Sequence, residues 1–136
     1  MAEILMPTGK PCNLKDYQET YDNFSWDEVA SQFSWSKTGK INMAYEAIDK
    51  HVEEGHGNDI ALHFINDNTT ETYTYRNLMK NSNKIANVLV DDAHVKRGDR
   101  VFIFMPRSPE SACAMLGIMK IGALACPIFE AFMERA

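Results

Sequence analysis

The sequence predicts a mixed α/β fold, in which an N-terminal helical arm, a β-hairpin and an amphipathic helix lead into a βαβ unit. Two short apolar runs, Val101–Met105 and Ala123–Phe129, flank a predicted helix and read as parallel strands. Two β-prone runs flank turn-forming residues at Asp67 and Asn68, which is typical of a hairpin. Helical periodicity fills the stretch between the hairpin and the first apolar run.

Residues 1–58 are predicted to form an aromatic-rich helical arm. Asn13 is a candidate N-cap for a helix through Tyr21, and Ser25 begins a capping box at the start of a helix over Trp26–Phe33. Dense aromatic side chains favour an arm anchored against a larger body, with an aromatic ligand cage as the alternative. They are Tyr17, Tyr21, Phe24, Trp26, Phe33 and Trp35.

A third helix of the arm has Asn42 as its predicted N-cap, and Gly55 and Gly57 are expected to end it. Four apolar residues at helical spacing predict one buried face: Ala44, Ala47, Ile48 and Val52. His51 and His56 flank the helix end, but they lack the i, i+4 spacing with which a helix holds a metal ion. No metal site is predicted.

Residues 59–136 are predicted to begin an α/β domain. Ile60–Asn66 and Thr70–Tyr75 form the hairpin, and Thr74 caps the amphipathic helix that follows. One stripe of that helix is expected to face the core, with Leu78, Ile85, Ala86 and Leu89.

The βαβ unit carries strong boundary signals. The run Val101–Met105 has the apolar character of a strand buried on both faces. Ser108 is a good N-cap, and Pro109 suits the first helical position because its missing N–H has no partner there. From Ala112 to Ile121 nearly every residue is apolar, which predicts a helix covered all round, and Gly122 suits the left-handed residue that ends it.

Composition excludes several classes of protein. Among 136 residues, 45% are apolar and 24% charged, which is ordinary for a globular domain. A net charge of −5 argues against a nucleic-acid partner, which favours a basic surface. Three cysteines (Cys12, Cys113 and Cys126) without a CxxC pair, and an N-terminus without a signal-peptide pattern, indicate a reducing, cytoplasmic setting.

One stretch, Ala112–Phe129, has the length of a membrane span and a single charge, Lys120. Lys120 lies near its middle, Gly122 ends a helix there, and Pro127 opposes a restart. A buried helix and strand are therefore predicted, and no membrane partner.

Motifs for nucleophilic, metal or P-loop chemistry are absent from the sequence, and no catalytic residue is predicted. The loop Met105–Glu110 leaves the carboxyl end of a predicted parallel strand, where α/β sheets bind ligands. Arg107 could meet an anion there. In the alternative, Pro106 and Pro109 stiffen the turn while Arg107 pairs with a neighbouring carboxylate.

Several segments together resemble the AMP-forming acyl-CoA synthetases of the adenylate-forming superfamily. Their order and spacing are similar to the first part of that family's large N-terminal domain. The segments are Thr74–Leu78, Lys96–Val101, Met105–Glu110 and Met115–Ala123. The arm around Trp26 and Trp35, the helix Asn42–His51 and the segment Phe129–Glu134 resemble the acetyl-CoA synthetase branch.

The resemblance implies an enzyme that uses ATP and Mg²⁺ to activate acetate as acetyl-adenylate, and then transfers the acetyl group to coenzyme A. The family's phosphate loop, later adenylate motifs, acyl pocket and C-terminal lysine have no counterpart in residues 1–136. The expectation is therefore an inactive N-terminal portion, which binds none of these ligands tightly and whose partner is the remainder of the synthetase chain. Acetate rather than propionate rests on the branch resemblance alone.

The resemblance also implies a coenzyme A contact at Phe129, Glu130 and Ala131, because the family's backbone at this point lies near the nucleotide end of coenzyme A. The relatives have two glycines where Glu130 and Ala131 stand, so a structural role for these residues is the alternative.

A second interpretation is a self-sufficient, non-catalytic module that binds a partner through its sheet edge and aromatic arm. In either interpretation the sheet lacks further strands, so we expect exposed apolar surface and self-association.

Overall fold

The structure is a computed structural model that describes Leu14 and residues 16–129. The chain divides into two compact units, Met1–Gly39 and Lys40–Ala136. The helical segment that follows Asn42 belongs to the second unit. The division predicted between residues 58 and 59 as a domain boundary stays a prediction.

The described residues of the first unit form three short helices: α1 (Tyr17–Asp22), α2 (Trp26–Ser31) and α3 (Trp35–Thr38). Asp16 caps α1 by accepting a hydrogen bond from the Glu19 N–H at 2.9 Å. The predicted cap, Asn13, lies outside the described residues.

Helix α2 begins as predicted, because the Ser25 hydroxyl accepts from the Glu28 N–H. It ends two residues before the predicted Phe33. The N–H groups of Gln32 and Phe33 donate to carbonyls only three residues back, which closes the helix with tight 3₁₀-type turns.

The aromatic side chains of the first unit pair locally. Tyr17 stacks on Tyr21, Phe24 meets Trp26 edge to face, and Phe33 stacks on Trp35. No described residue between 16 and 39 is buried, and Trp26 remains 75% exposed. The predicted anchoring of the arm on a larger body stays a prediction.

The second unit opens with a helical segment of two π-helical stretches, Tyr45–Asp49 and Val52–His56. Asn42 caps it as predicted, since its side-chain oxygen accepts from the N–H groups of Ala44 and Tyr45. The predicted buried face is wrong at Ala47, which is exposed. A π-helix has more residues per turn than an α-helix, so the apolar positions drift around the axis.

Only one of the two glycines at the end of this segment has the left-handed backbone conformation that is typical of a helix end. Gly55 has φ +96° and breaks the helix, whereas Gly57 has an ordinary φ of −58°. At Gly57 an added Cβ would lie 2.7 Å from a guanidinium nitrogen of Arg76, which is the end of a flexible side chain.

The predicted hairpin is confirmed, with β1 (Ile60–Ile65) antiparallel to β2 (Thr70–Thr74). The Asn66 side chain holds the turn by accepting from the N–H groups of Asn68 and Thr69. The amphipathic helix α4 (Tyr75–Asp91) follows directly.

Helix α4 begins at the predicted cap, where Thr74 and Asn77 exchange side-chain to backbone hydrogen bonds. The predicted stripe faces the core, with Leu78 and Ala86 buried and Ile85 and Leu89 half-buried. Sequence periodicity missed Ser82, which is 0% exposed and donates its hydroxyl proton to the Met79 carbonyl.

The βαβ unit is confirmed as β3 (Arg100–Ile103), α5 (Pro109–Lys120) and β4 (Leu124–Pro127), with parallel strands. Both strands are shorter than predicted. The ladder ends where Ile103 faces Pro127, which has no N–H to donate. Gly122 has φ +74° after α5, as predicted.

Helix α5 is the centre of the second unit, and every residue from Ser111 to Ile121 is buried or half-buried. It crosses α4 closely at Gly117, where an added Cβ would lie 2.8 Å from the Ser82 carbonyl oxygen. Two core clusters form on either side of this crossing. One contains Ile48, Leu78 and Cys113, and the other contains Ile103, Ile118 and Ala123.

One face of the parallel sheet is uncovered. Ile103 packs on the core, but Phe102, Phe104 and Leu124 are each more than half exposed. The prediction that β3 is buried on both faces is therefore wrong within the described residues, because α5 covers a single face. In the same part of the chain, no helix is long and apolar enough to cross a membrane.

Candidate functional site

A cleft lies at the carboxyl ends of the two parallel strands, beside the first turns of α5. Its volume is about 540 Å³, within the range of small-molecule sites. Three structural elements supply its walls: the end of β3 with its following loop, the first half of α5, and the end of β4. The lining residues are Ile103, Met105, Pro106, Arg107, Ser111, Ala112, Met115, Pro127, Ile128 and Phe129.

The first turn of α5 is fixed by a reciprocal capping box. The Ser108 hydroxyl accepts from the Ser111 N–H at 3.3 Å, and the Ser111 hydroxyl accepts from the Ser108 N–H at 3.4 Å. Pro109 is buried beneath the turn. On the opposite wall, the Ile128 N–H donates to the Ile103 carbonyl at 2.9 Å and holds the end of β4 beside β3. The walls are therefore held by backbone and cap hydrogen bonds.

Arg107 is the one charged residue among those lining the cleft. Its side chain is exposed, and between residues 16 and 129 no carboxylate forms an ion pair with it. The nearby Glu110 is engaged elsewhere, because hydrogen bonding from the Ser108 side chain and the backbone lowers the pKa of its carboxyl. The alternative in which Arg107 pairs with a neighbouring carboxylate is therefore not seen in the described part of the chain.

The structure places one of the three predicted coenzyme A residues at this cleft. Phe129 lines it and is 56% exposed, whereas Glu130 and Ala131 lie outside the described residues. Coenzyme A binding by these residues stays a prediction. Sequence reasoning identified the loop around Arg107 but missed Met115 and Ile128, which only the packing of α5 against the strands brings to the same cleft.

A second cavity of about 300 Å³ lies on the other side of the α5 N-terminus, lined by Tyr73, Asn81, Lys84, Ile85, Pro109, Glu110 and Cys113. Burial raises the pKa of the Cys113 thiol, which keeps it protonated and unreactive at neutral pH. A hydrogen bond to Glu71 raises the pKa of Tyr73 to about 12. Neither group is prepared to act as a nucleophile or a base.

A polar cluster joins the helical segment after Asn42 to α4 and α5. The Lys120 ammonium donates to Asp49 Oδ1 and Asn83 Oδ1, both at 2.6 Å, and the Asn42 amide donates to the Lys120 carbonyl at 3.1 Å. Because the Lys120 ammonium already donates to both Asp49 and Asn83, we assign this cluster a structural role in packing the helices together. In the described ranges, no three His, Cys, Asp or Glu side chains form a group that could hold a metal ion.

The arrangement is suited to binding an elongated, mainly apolar ligand with an anionic group near Arg107. No nucleophile and base pair with each other among the residues lining the cleft. Within the part of the chain that the structure describes, this geometry supports a binding site without its own catalytic groups.

Comparison with known proteins identifies the family. The sequence profile of the family described as "AMP-binding enzyme" matches residues 48–136. The acetyl-coenzyme A synthetase of Bacillus subtilis (strain 168) is 53% identical over 124 residues, covering 91% of this chain and 22% of that protein. The acetyl-coenzyme A synthetase of Streptomyces avermitilis is 40% identical over 103 residues, covering 75% of this chain and 16% of that protein.

A solved structure agrees. The crystal structure of Brucella canis acyl-CoA synthetase superposes with a TM-score of 0.70 at 31% identity, covering 85% of this chain and 21% of that chain. The chain thus spans about a fifth of the length of these relatives. The resemblance to AMP-forming acyl-CoA synthetases is confirmed, and so is the fold, which matches part of an adenylate-forming domain. The chain belongs to the AMP-binding enzyme family.

Proposed function

We propose that this chain is the N-terminal portion of an acetate–CoA ligase, which converts acetate, ATP and coenzyme A into acetyl-CoA, AMP and pyrophosphate. The observation that carries the proposal is the 53% identity to an acetyl-coenzyme A synthetase over 91% of the chain. Since the chain spans 22% of that relative, the activity, substrates and partners of the whole enzyme all belong to the proposal.

The residues lining the cleft do not fit the phosphates and Mg²⁺ of ATP. Magnesium prefers carboxylate and water ligands, and the cleft contains no carboxylate and a single cation, Arg107. We therefore assign no catalytic or metal-binding residue to this chain, and we expect it to be inactive without the remainder of the synthetase. That remainder is its proposed partner. The cytoplasm is its proposed location, and no nucleic-acid or membrane partner is proposed.

The cleft fits the second half of the reaction better. Its apolar walls and its position at the carboxyl ends of parallel strands suit an extended coenzyme arm, and Phe129 lines it. We propose that Phe129, Glu130 and Ala131 lie near coenzyme A in the complete enzyme. A structural role at Glu130 and Ala131 is the alternative.

Acetate-dependent exchange of pyrophosphate into ATP tests the proposal, because adenylation needs ATP, Mg²⁺ and acetate but no coenzyme A. We expect no exchange with the 136-residue chain alone. We expect exchange with a chimera in which this chain replaces its matching segment in the Bacillus subtilis synthetase, and the unmodified synthetase is the control. Propionate in place of acetate measures the acyl preference.

Exchange by the chain alone would contradict the assignment of all catalytic groups to the remainder of the enzyme. A folded chimera without exchange would contradict the proposed function itself. Gel filtration and circular dichroism establish folding of the chimera independently of its activity.

The uncovered sheet face favours a second candidate function, a non-catalytic module that binds a partner through its sheet edge and arm. The same chimera separates the two candidates. A chain that evolved as a separate module has no reason to support adenylation inside another synthetase.

A further inference from the structure

We infer that the second cavity, which is lined by β2, α4 and the first turns of α5, binds a small zwitterion with an apolar side chain, of the class of the apolar amino acids. In this assignment α4 supplies a wall that binds the ligand carboxylate. Helix α5 and the end of β2 supply the opposite wall, which binds the ligand ammonium. The inference does not depend on the proposed ligase function, which gives this cavity no role.

The cavity has the size and the apolar surface of a site for a small ligand. Its volume of about 300 Å³ lies at the lower end of the range for small-molecule sites. Pro109 and Cys113 are buried and Ile85 is half-buried, so these three residues form an apolar base. Because burial keeps the Cys113 thiol protonated, it acts there as a small apolar group. An apolar side chain of the ligand gains free energy by burial against this surface.

Helix α4 provides a wall that suits a carboxylate. Asn81 and Lys84 lie three positions apart, which places their side chains on the same face of the helix. Among the described residues, neither side chain has a hydrogen-bond or ion-pair partner. The Asn81 amide and the Lys84 ammonium can therefore both donate to one ligand carboxylate.

The opposite wall suits an ammonium group. Hydrogen bonding from Ser108 and the backbone lowers the pKa of Glu110, so this carboxylate is ionised at neutral pH. The Tyr73 hydroxyl donates to Glu71, and its oxygen keeps a lone pair that can accept. Glu110 lies near enough to Tyr73 to act on it, because its charge adds to the effects of the Glu71 hydrogen bond and of burial in raising the pKa of Tyr73. An ammonium group thus finds two acceptors on this wall.

The charges of the two walls select the class of ligand. Lys84 and Glu110 line the same cavity, but no ion pair joins them within the described part of the chain. Both side chains are exposed, so they meet a ligand at the rim while the apolar base lies beneath. A ligand with a single charge satisfies one wall and leaves the other without a partner. A zwitterion satisfies both walls at once.

Leucine and two analogues that each lack one charge test the inference. Isopentylamine lacks the carboxylate and isocaproate lacks the ammonium, while both keep the apolar side chain. In the 136-residue chain labelled with ¹³C at the isoleucine δ-methyl groups, leucine should produce a saturable shift of the Ile85 resonance. Ile60 and Ile65 do not line the cavity and should not shift. Each analogue should bind about tenfold more weakly than leucine, the usual range for a hydrogen bond to a charged group.

Substitution of the two charged residues assigns each ligand group to its wall. Lys84→Gln should weaken the binding of leucine and isocaproate about tenfold and leave isopentylamine unchanged. Glu110→Gln should weaken leucine and isopentylamine and leave isocaproate unchanged. Lys80→Gln and Asp91→Asn are the controls, because they remove the same charges from exposed positions of α4 outside the cavity lining. Circular dichroism verifies that the variants remain folded.

Three results would overturn the inference: no saturable shift of Ile85 with leucine, equal affinity for leucine and either analogue, or equal losses of affinity in the control variants. These measurements involve no acetate, ATP or coenzyme A. Failed pyrophosphate exchange by the chimera therefore counts against the proposed function alone, and any of the three results counts against this inference alone.

Discussion

The two faces of the parallel sheet differ although the run Val101–Met105 places apolar side chains on both. Ile103 is 7% exposed and packs beneath α5, whereas its neighbour Phe102 points the other way and is 66% exposed. Successive side chains of a strand point to opposite faces, so these two residues sample two environments from the same stretch of backbone. The covered face is part of a core, and the other is an apolar surface.

The difference shows that a βαβ unit by itself buries only one face of its sheet. The crossover helix follows β3 directly and must pack on one face of the sheet, so local sequence determines that cover. The opposite face needs an element from elsewhere, and the described residues contain none. An apolar run therefore predicts that both faces of the strand are buried, but it does not identify the element that buries the second face.

The largest expected effect comes from shortening the side chain on the covered face. Ile103→Ala should lower the free energy of unfolding by about 3 kcal/mol, because it removes buried methyl groups and leaves a cavity under α5. Phe102→Ala on the uncovered face should change it by about 1 kcal/mol or less. Urea unfolding followed by circular dichroism measures both values.

The same pair of variants tests surface exposure. Phe102→Ala should reduce binding of a hydrophobic dye and the self-association that we predict from the open sheet. Ile103→Ala should not reduce either one. Equal losses of stability in the two variants would mean that both faces are covered in solution.

The next largest effect is expected where α4 and α5 cross, because this contact holds α5 on the covered face of the sheet. Gly117→Ala puts a methyl group 2.8 Å from the Ser82 carbonyl oxygen, and backbone cannot move aside as a side-chain end can. We expect a loss of about 2 kcal/mol from overpacking. Gly57→Ala is the matched control, because the Arg76 side chain that it meets is flexible and φ at Gly57 is −58°. If both variants retained full stability, α4 and α5 would be less closely packed than the structure indicates.

The features of the fold that the sequence predicts correctly depend on interactions between residues that are close in the chain. The caps at Ser25, Asn42, Thr74 and Ser108 were all predicted, because a cap depends on residues within one turn. The parallel pairing of β3 and β4 was also predicted, since a crossover of this length restricts the topology.

What sequence missed depends on contacts between distant residues or on an uncommon backbone. Ser82 is fully buried because Gly117 leaves it room, and periodicity alone cannot pair these two positions. Ala47 was placed on the wrong face because π-helical winding changes the period. At the site, the sequence marked Arg107 and Phe129 individually, but only the fold brings both to one cleft.

A smaller effect is expected where the covering helix begins. Ser108→Ala removes the side-chain acceptor for the Ser111 N–H and should cost about 1 kcal/mol. Ser111→Ala removes the longer reciprocal bond and the bond that the Ser111 hydroxyl donates to the Ser108 carbonyl, but it adds a better helix former, so its cost should be smaller. Equal costs in thermal unfolding would show that the two halves of the capping box contribute alike.

The smallest effect is a pH dependence at the same turn. Hydrogen bonding from Ser108 lowers the pKa of Glu110 in the folded state, so folding favours the ionised carboxylate. The associated stability is present above the unfolded pKa of about 4.3 and is lost as pH falls through the lower folded pKa. Glu110→Gln should flatten this acid limb of the stability curve. Ser108→Ala should raise the pKa of Glu110 toward its ordinary range.

An NMR titration of the Glu110 carboxyl carbon checks this directly in the native protein and in Ser108→Ala. A carboxyl that titrates alike in both would remove Ser108 as the cause of the shift. In that case the cap and the carboxylate stabilise the covering helix independently of each other, and Glu110→Gln and Ser108→Ala should change its stability additively.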